Sequence, residues 1–389
     1  MGRLRLGLSS EILRYTLAMY GASRVLYMVV AIADSLVRHT SIATELHNWD
    51  GKWYVLTEQH GYPLPFNVHF YTTPGHWSTY GFLPLFPLLE WLVVHTIQLS
   101  VVPAGFTLSL IFGLLATLLV TRLASAWWGE EAARRAVPFW CFFPGTIVFS
   151  MVYTEGLTIA LVAGCFLLLE RRRWILGGLL AGLSTAVAPV AFAVMPACGV
   201  AALLELRRHG WRDREALKSL WAPALSTLGA AAFAIFLWIW AGTPLASFDA
   251  QHGAWQESST PLAIPDVFGS LIHQIFISGV GNHGPGGIDL NGISALLGTA
   301  FLFYGLRLMW KVRETIPATV WTWTLVAALL ALTSAKTPPN PRLLITMFPV
   351  VMIIGAHFTG RARTRLLIAN VVVLLLMSPI TYEGGWLRP

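Results

Sequence analysis

Residues 80–99, YGFLPLFPLLEWLVVHTIQL, are the stretch on which the orientation of the whole chain turns. They are long and apolar enough to cross roughly 30 Å of hydrocarbon, which takes about 20 residues of helix. They also carry Pro84, Pro87, Glu90, His95 and Gln98, polar and helix-breaking groups that a spanning helix tolerates poorly. The flanks decide between the two readings. Convincing apolar runs lie at about 12–33, 104–121, 136–153, 156–170, 220–241, 293–310, 316–333, 343–359 and 366–381. The run 174–204 is too long for one crossing and is broken by Pro189 and Pro196, which predicts two short helices meeting near 187–190. Basic residues cluster at Arg3, Arg5 and Arg14; at Arg122, Arg134 and Arg135; at Arg171, Arg172 and Arg173; and at Arg207 to Lys218, Arg307 to Arg313 and Arg361 to Arg365. If all of these face the cytoplasm, they account for twenty of the 26 lysines and arginines. A further crossing at 80–99 would throw every later cluster to the other side, so this stretch is read as lying along the outer interface or re-entering. The prediction is an all-α polytopic membrane protein. It forms a single integral membrane domain over residues 1–389, with eleven transmembrane helices, an inner N-terminus and an outer C-terminus.

Composition agrees. Of 389 residues 56% are hydrophobic and 12% charged, about half the charge of a soluble domain, and mean hydropathy is +0.63. A water-soluble enzyme, a disordered chain and a nucleic-acid binder are excluded. The net charge of +7 suits the anionic inner leaflet, so membrane lipids rather than nucleic acid are the expected polyanion. The excess of arginine over lysine suggests a GC-rich bacterial genome without establishing one, and a bacterial plasma membrane is the expected location. Cys141, Cys165 and Cys198 all lie in apolar runs, which leaves no disulfide framework or cysteine metal motif.

Two outer loops, 34–103 and 242–292, are far longer than ordinary connections and rich in Trp, Tyr, Phe, Pro and Gly. In the first, His47-Asn48-Trp49-Asp50-Gly51-Lys52-Trp53-Tyr54 places Trp49, Trp53 and Leu56 at helical spacing, which predicts a short amphipathic helix at the interface. Asp50 beside these aromatics suits a general base; the alternative is a helix cap or a solvated acid. Glu155, in Tyr153-Thr154-Glu155-Gly156, is an acid at a tight turn between membrane helices, either functional or a cap for the next helix. Arg24 lies mid-span and calls for an anion, a ligand or a structural partner such as Glu155 or Asp34. Lys336 and Arg342 flank the outer turn Thr337-Pro338-Pro339-Asn340-Pro341 and suit a lipid phosphate at headgroup level; snorkelling is the alternative. The outer histidines His39, His47, His60, His69, His76, His252, His273 and His283 lack tight metal-ligand spacing, so no metal and no other cofactor is expected. The outer loops contain no Asp-x-Asp pair, which argues against a metal-bridged nucleotide-sugar donor.

Five blocks, in order along most of the chain, resemble the PIG-V-like mannosyltransferases. They are Trp49-Asp50-Gly51, Trp53-Tyr54 and Gly61-Tyr62; Phe82-Leu83-Pro84-Leu85-Phe86-Pro87-Leu88; Phe143-Pro144 with Tyr153-Thr154-Glu155; Gly242-Thr243-Pro244-Leu245-Ala246 with Ala250-Gln251 and Trp255; and Pro341-Arg342 with Phe348-Pro349. The chain departs from that family at Val187-Ala188-Pro189, where an arginine is usual before the proline, at Thr243 in place of an acid, and at Thr154 in place of serine. The resemblance implies a GT-C-like helical bundle and an inverting glycosyltransferase using a polyprenyl-phosphate sugar donor. The sugar would be mannose and the acceptor a glycolipid or other glycan. It further implies Asp50 as base, Glu155 as an orienting acid, Arg342, Lys336 and Arg24 as cations for the donor phosphate, and Trp49, Trp53, Tyr54, Gln251 and Trp255 as substrate-binding residues. Segment 80–99 would line the groove for the prenyl chain. The competing readings are a lipid-linked sugar transporter or flippase, suited by broken helices and an intramembrane arginine, and a non-catalytic scaffold, suited by Ala188 and Thr243.

Overall fold

The apolar runs become helices. In the computed structural model, which describes residues 8–278 and 289–389, six are long and apolar enough to cross a membrane: Ser10–Arg38, Val101–Trp128, Pro189–His209, Arg214–Ala241, Leu290–Lys311 and Gly360–Glu383. A seventh is obtained if Pro144–Ser150 and Glu155–Glu170, bent by 103° at their break, count as one span. Leu85–Ile97, Trp174–Ser184, Ala318–Thr333 and Phe348–His357 are shorter apolar helices. Among the described residues there is no strand, only an isolated antiparallel bridge between Ser259 and Ser334. The chain is an all-helical, multi-pass membrane protein.

Eleven crossings are not matched by eleven helices of crossing length, and prolines explain much of the difference. The expected span 136–153 stops as a helix at Cys141. Phe143 is extended, with ψ of 132°, because the following Pro144 ring disfavours helical backbone before it. A 3-10 turn, Pro144–Ser150, replaces the rest. The expected span 343–359 is divided into Pro341–Thr346 and Phe348–His357 around Met347, since Pro349 favours a helix start over a helix interior. The run 174–204 breaks as its prolines predict, into Trp174–Ser184, the 3-10 turn Pro189–Ala193, and Val194–His209. Residues 80–99 contain a helix of only 13 residues, Leu85–Ile97, about 20 Å long and too short to cross alone.

Side chains are sorted for lipid. Val25, Ile239, Leu297 and Leu376 are exposed, whereas Tyr27, Trp140, Trp323 and Phe348 are buried in the principal core. The bundle's two ends differ in charge. At one, Arg134 pairs with Glu11 at 2.6 Å, Arg135 Nε donates to the Ala356 carbonyl at 3.1 Å, and the Tyr304 ring faces that of Phe358. Arg361 and Arg365 follow immediately. The first helix runs 29 residues from that end, about 43 Å, to Arg38, and delivers the long segment that follows it to the opposite end.

Candidate active site

At that opposite end three charged side chains, remote in sequence, meet: Asp50, Glu155 and Arg342. Asp50 is the first residue of the helix Asp50–His60. Its entry is pinned on three sides. Asn48 Nδ2 donates to the Tyr382 carbonyl at 2.5 Å, Trp49 Nε1 to the Thr381 carbonyl at 3.0 Å, and the Val152 N–H to the Leu46 carbonyl at 2.8 Å. The Asp50 N–H itself donates to the Tyr153 hydroxyl at 3.1 Å. Glu155 opens the helix Glu155–Glu170, whose cap Thr154 makes no side-chain cap bond. Both acids therefore occupy first turns, where free N–H groups favour negative charge.

Arg342 is delivered by the turn Asn340-Pro341. Asn340 Oδ1 accepts the Leu343 N–H at 2.9 Å, and Pro341 supplies a pre-set first helical residue. The Pro341 carbonyl packs directly on Gly145, where a Cβ would collide with backbone, so the 3-10 turn of the broken span forms the seat for this helix. Arg342 Nη1 donates to Asp50 Oδ2, Nε lies 3.6 Å from Glu155 Oε1, and the guanidinium stacks 5.5 Å from the Tyr153 ring centroid. Arg342 and Glu155 side chains are 11% and 10% exposed while Asp50 is 31% exposed, which makes Asp50 the accessible member. One cation thus faces two carboxylates.

An aromatic wall rises beside the triad. Tyr54 hydrogen-bonds Thr154 at 3.2 Å, and its ring meets Phe82, Phe86 and Tyr153 edge-on. Burial, together with the charges of Asp50 and Glu155, holds the Tyr54 hydroxyl well above its ordinary pKa, so it remains a neutral donor. Trp53 stacks on Phe82 and meets Trp255 at 5.1 Å. Gly81 allows Trp255 to lie this close, since a Cβ there would strike its indole. Gln251 Nε2 donates to the Gly81 carbonyl, tying the second outer loop to the first. Two turns along from Asp50 an apolar cleft of about 740 Å³ opens, lined by Thr57, Glu58, Tyr62, Leu88, Leu183 and Phe236 among others.

Several expected residues lie elsewhere. The expected stripe Trp49, Trp53, Leu56 is not the buried face of its helix. Trp49 precedes the helix with φ of 59°, Leu56 is exposed, and Gly51, Tyr54, Val55 and Thr57 face inward, because the helix packs on the bundle through its small and aromatic positions. Lys336 is exposed and donates to Gln256 Oε1 at 2.9 Å, outside the triad. Arg24 is buried within the bundle. It donates to the carbonyls of Thr146 (2.6 Å) and Cys141 (3.1 Å) and to hydroxyls of Ser23, Thr146 and Ser150. It also lies over the rings of Tyr20, Tyr27 and Phe149. It pairs with neither Glu155 nor Asp34, which are taken by Arg342 and Arg38; carbonyls freed where the span breaks satisfy it instead. Tyr153 joins the triad although a tyrosine beside a turn carries no charge signal in sequence. Among the described residues no three His, Cys, Asp or Glu are grouped to hold a metal ion; His283 lies outside the described residues, as do Arg3 and Arg5.

No protein-family model matches this chain, and no curated protein matches it. Among solved structures it is similar to the Archaeoglobus fulgidus oligosaccharyltransferase in the apo form, at 13% identity and a TM-score of 0.47, over 93% of this chain and 56% of that one. The same values of identity and coverage, with a TM-score of 0.44, hold for the archaeal oligosaccharyltransferase AglB from Archaeoglobus fulgidus in complex with an inhibitory peptide and a dolichol-phosphate. The chain spans little more than half the length of these proteins. The likeness is too shallow to transfer an activity.

Proposed function

We propose that this chain is an inverting glycosyltransferase of GT-C type. It takes a sugar, mannose, from a polyprenyl-phosphate donor and gives it to a hydroxyl of a glycolipid or other envelope glycan on the outer face of a bacterial plasma membrane. The observation that carries the reading is the convergence of Asp50, Glu155 and Arg342 under an aromatic wall, at the end of the bundle opposite the basic clusters.

In this reading the Arg342–Asp50 ion pair gives way when the donor binds. The donor's phosphodiester takes the Arg342 guanidinium, which suits phosphate oxygens as well as it suits a carboxylate, and the prenyl chain follows the apolar cleft that begins at Thr57 and Glu58. Asp50, released from the guanidinium and the most accessible of the three, accepts the proton of the acceptor hydroxyl. That oxygen attacks the anomeric carbon from the face opposite the phosphate. The carbon–oxygen bond to phosphate breaks, and prenyl phosphate leaves with its new charge held by Arg342. Glu155 keeps the guanidinium in place once Asp50 has let go. Trp53 and Trp255 supply faces for the sugars, Tyr54 is buried behind them rather than open to substrate, and Trp49 and Gln251 hold the two loops that bear them. Because a guanidinium meets the leaving group's charge, the reaction needs no cofactor and no metal.

The test is binding and transfer with a short-chain polyprenyl-phosphate mannose, on the wild type and on Arg342→Ala. Saturable binding lost in the variant, with radiolabel released onto an acceptor, supports the reading. No binding of any prenyl-phosphate sugar sinks the donor, and movement of label across vesicles without transfer assigns the chain to transport.

A further inference from the structure

A second cleft, at the basic end and away from the triad, has no role in this chemistry. It has a volume of about 690 Å³ and lies between the helices Leu290–Lys311 and Ala318–Thr333. Its walls follow helical spacing: Phe303, Leu306, Arg307 and Trp310 on the first helix, and Ala318, Trp321 and Leu325 on the second. Arg307 is about 24 Å along its helix from Asn291, which hydrogen-bonds Trp386 and Arg388 at the triad's end. Tyr304, one turn before Arg307, faces Phe358, just ahead of the basic run at Arg361.

The cleft is graded in polarity. Arg307 and Arg313 line its rim, whereas Phe303 and Leu325 lie deeper by about 6 Å and more along their helices. Trp310 and Trp321 meet edge-to-face at 6.3 Å between them, at the level where tryptophans favour the membrane interface. Among the described residues the Arg313 side chain donates to the Trp310 carbonyl and lies over that indole at 5.0 Å. Among the described residues no acid pairs with Arg307 or Arg313, and of the basic residues at this end these two line the cleft. Glu314, in the turn between the helices, is not part of the lining.

We propose that this cleft binds an anionic glycerophospholipid of the inner leaflet, with its phosphate between Arg307 and Arg313, its glycerol against Trp310 and Trp321, and its acyl chains along Phe303, Leu306 and Leu325. The charge complementarity is specific to an anionic headgroup: a zwitterionic lipid brings a cation to two unpaired guanidinium groups. Such a lipid fastens the end of one helix pair and leaves the triad untouched.

The experiment uses the full chain, purified in detergent and titrated with dioleoylphosphatidylglycerol, dioleoylphosphatidylcholine or soluble glycerol phosphate, with thermal stabilisation and lipid retention in native mass spectra as readouts. Two basic residues close to an anionic headgroup correspond to a preference on the order of 30-fold over phosphatidylcholine. That preference is expected to vanish in Arg307→Gln/Arg313→Gln and to persist in Arg208→Gln/Arg212→Gln, which removes two exposed charges outside the cleft. Ala318→Trp, which projects an indole into the cleft between the two arginines and its apolar end and keeps both arginines, is expected to weaken it strongly. Equal losses in the two glutamine pairs, preference retained in Ala318→Trp, or saturation by glycerol phosphate alone would each overturn the proposal.

Discussion

Replacing Asp50 by asparagine separates the base from the structure around it. Asparagine keeps the volume and an oxygen for Arg342 Nη1, and the guanidinium retains Glu155 at 3.6 Å, so the fold of the site is preserved. What disappears is the proton acceptor. General-base catalysis contributes about 10²- to 10⁴-fold, so turnover should fall by that factor, a barrier increase of about 2.7–5.5 kcal/mol. Donor binding should move the other way. A phosphate on Arg342 lies on the order of 6 Å from the Asp50 carboxylate it displaces, and removing that like charge is worth up to about 3 kcal/mol at an effective dielectric of 20. Single-turnover transfer from a short-chain polyprenyl-phosphate mannose gives the rate, and displacement of a labelled donor gives the affinity. The expected pattern is slow transfer with donor binding unchanged or tightened. Turnover within about threefold of wild type would remove Asp50 as base. A donor affinity weakened by more than tenfold would show that Asp50 holds the donor rather than giving way to it.

Arg342→Ala leaves two carboxylates without their shared cation, at a cost of about 3–5 kcal/mol for breaking a buried pair; thermal unfolding should record this, and Arg342→Ala/Glu155→Gln should recover much of it while still failing to bind donor. Gly145→Val must displace the Pro341 carbonyl and with it Arg342, so donor binding should weaken although no charge has changed. Trp53→Ala is expected to raise the half-saturating concentration of substrate more than it lowers turnover, because base–phosphate geometry is set elsewhere. Treatment with a chelator should leave transfer unchanged; loss restored by a divalent ion would refute the metal-free leaving-group argument.

Much of the site was legible because its residues break local rules. Asp50 and Glu155 are acids among aromatics and apolar runs, and Arg342 is a cation on the side that basic residues avoid. Such exceptions are visible one at a time. Their convergence was not, since it depends on where a proline-broken span and a proline-started helix leave their ends. Arg24 shows the limit of the same reasoning: it breaks the rule as clearly as Arg342 does, yet carbonyls freed at Cys141 and Thr146 account for it. Tyr153 shows the converse, because its role comes from packing beneath Arg342 and from accepting the Asp50 N–H.

Hydropathy, basic clusters and proline positions, all local properties, were enough to establish a helical membrane protein with a long aromatic segment at the end opposite its basic residues. They also placed the break near 189, whereas the breaks near 144 and 347 fall inside runs that read as continuous spans. Which side chains share a site was decided only in three dimensions. A guanidinium can reach whatever carbonyl, carboxylate or phosphate the packing brings within about 3 Å, and the sequence separation between Asp50 and Arg342 carries no trace of that distance.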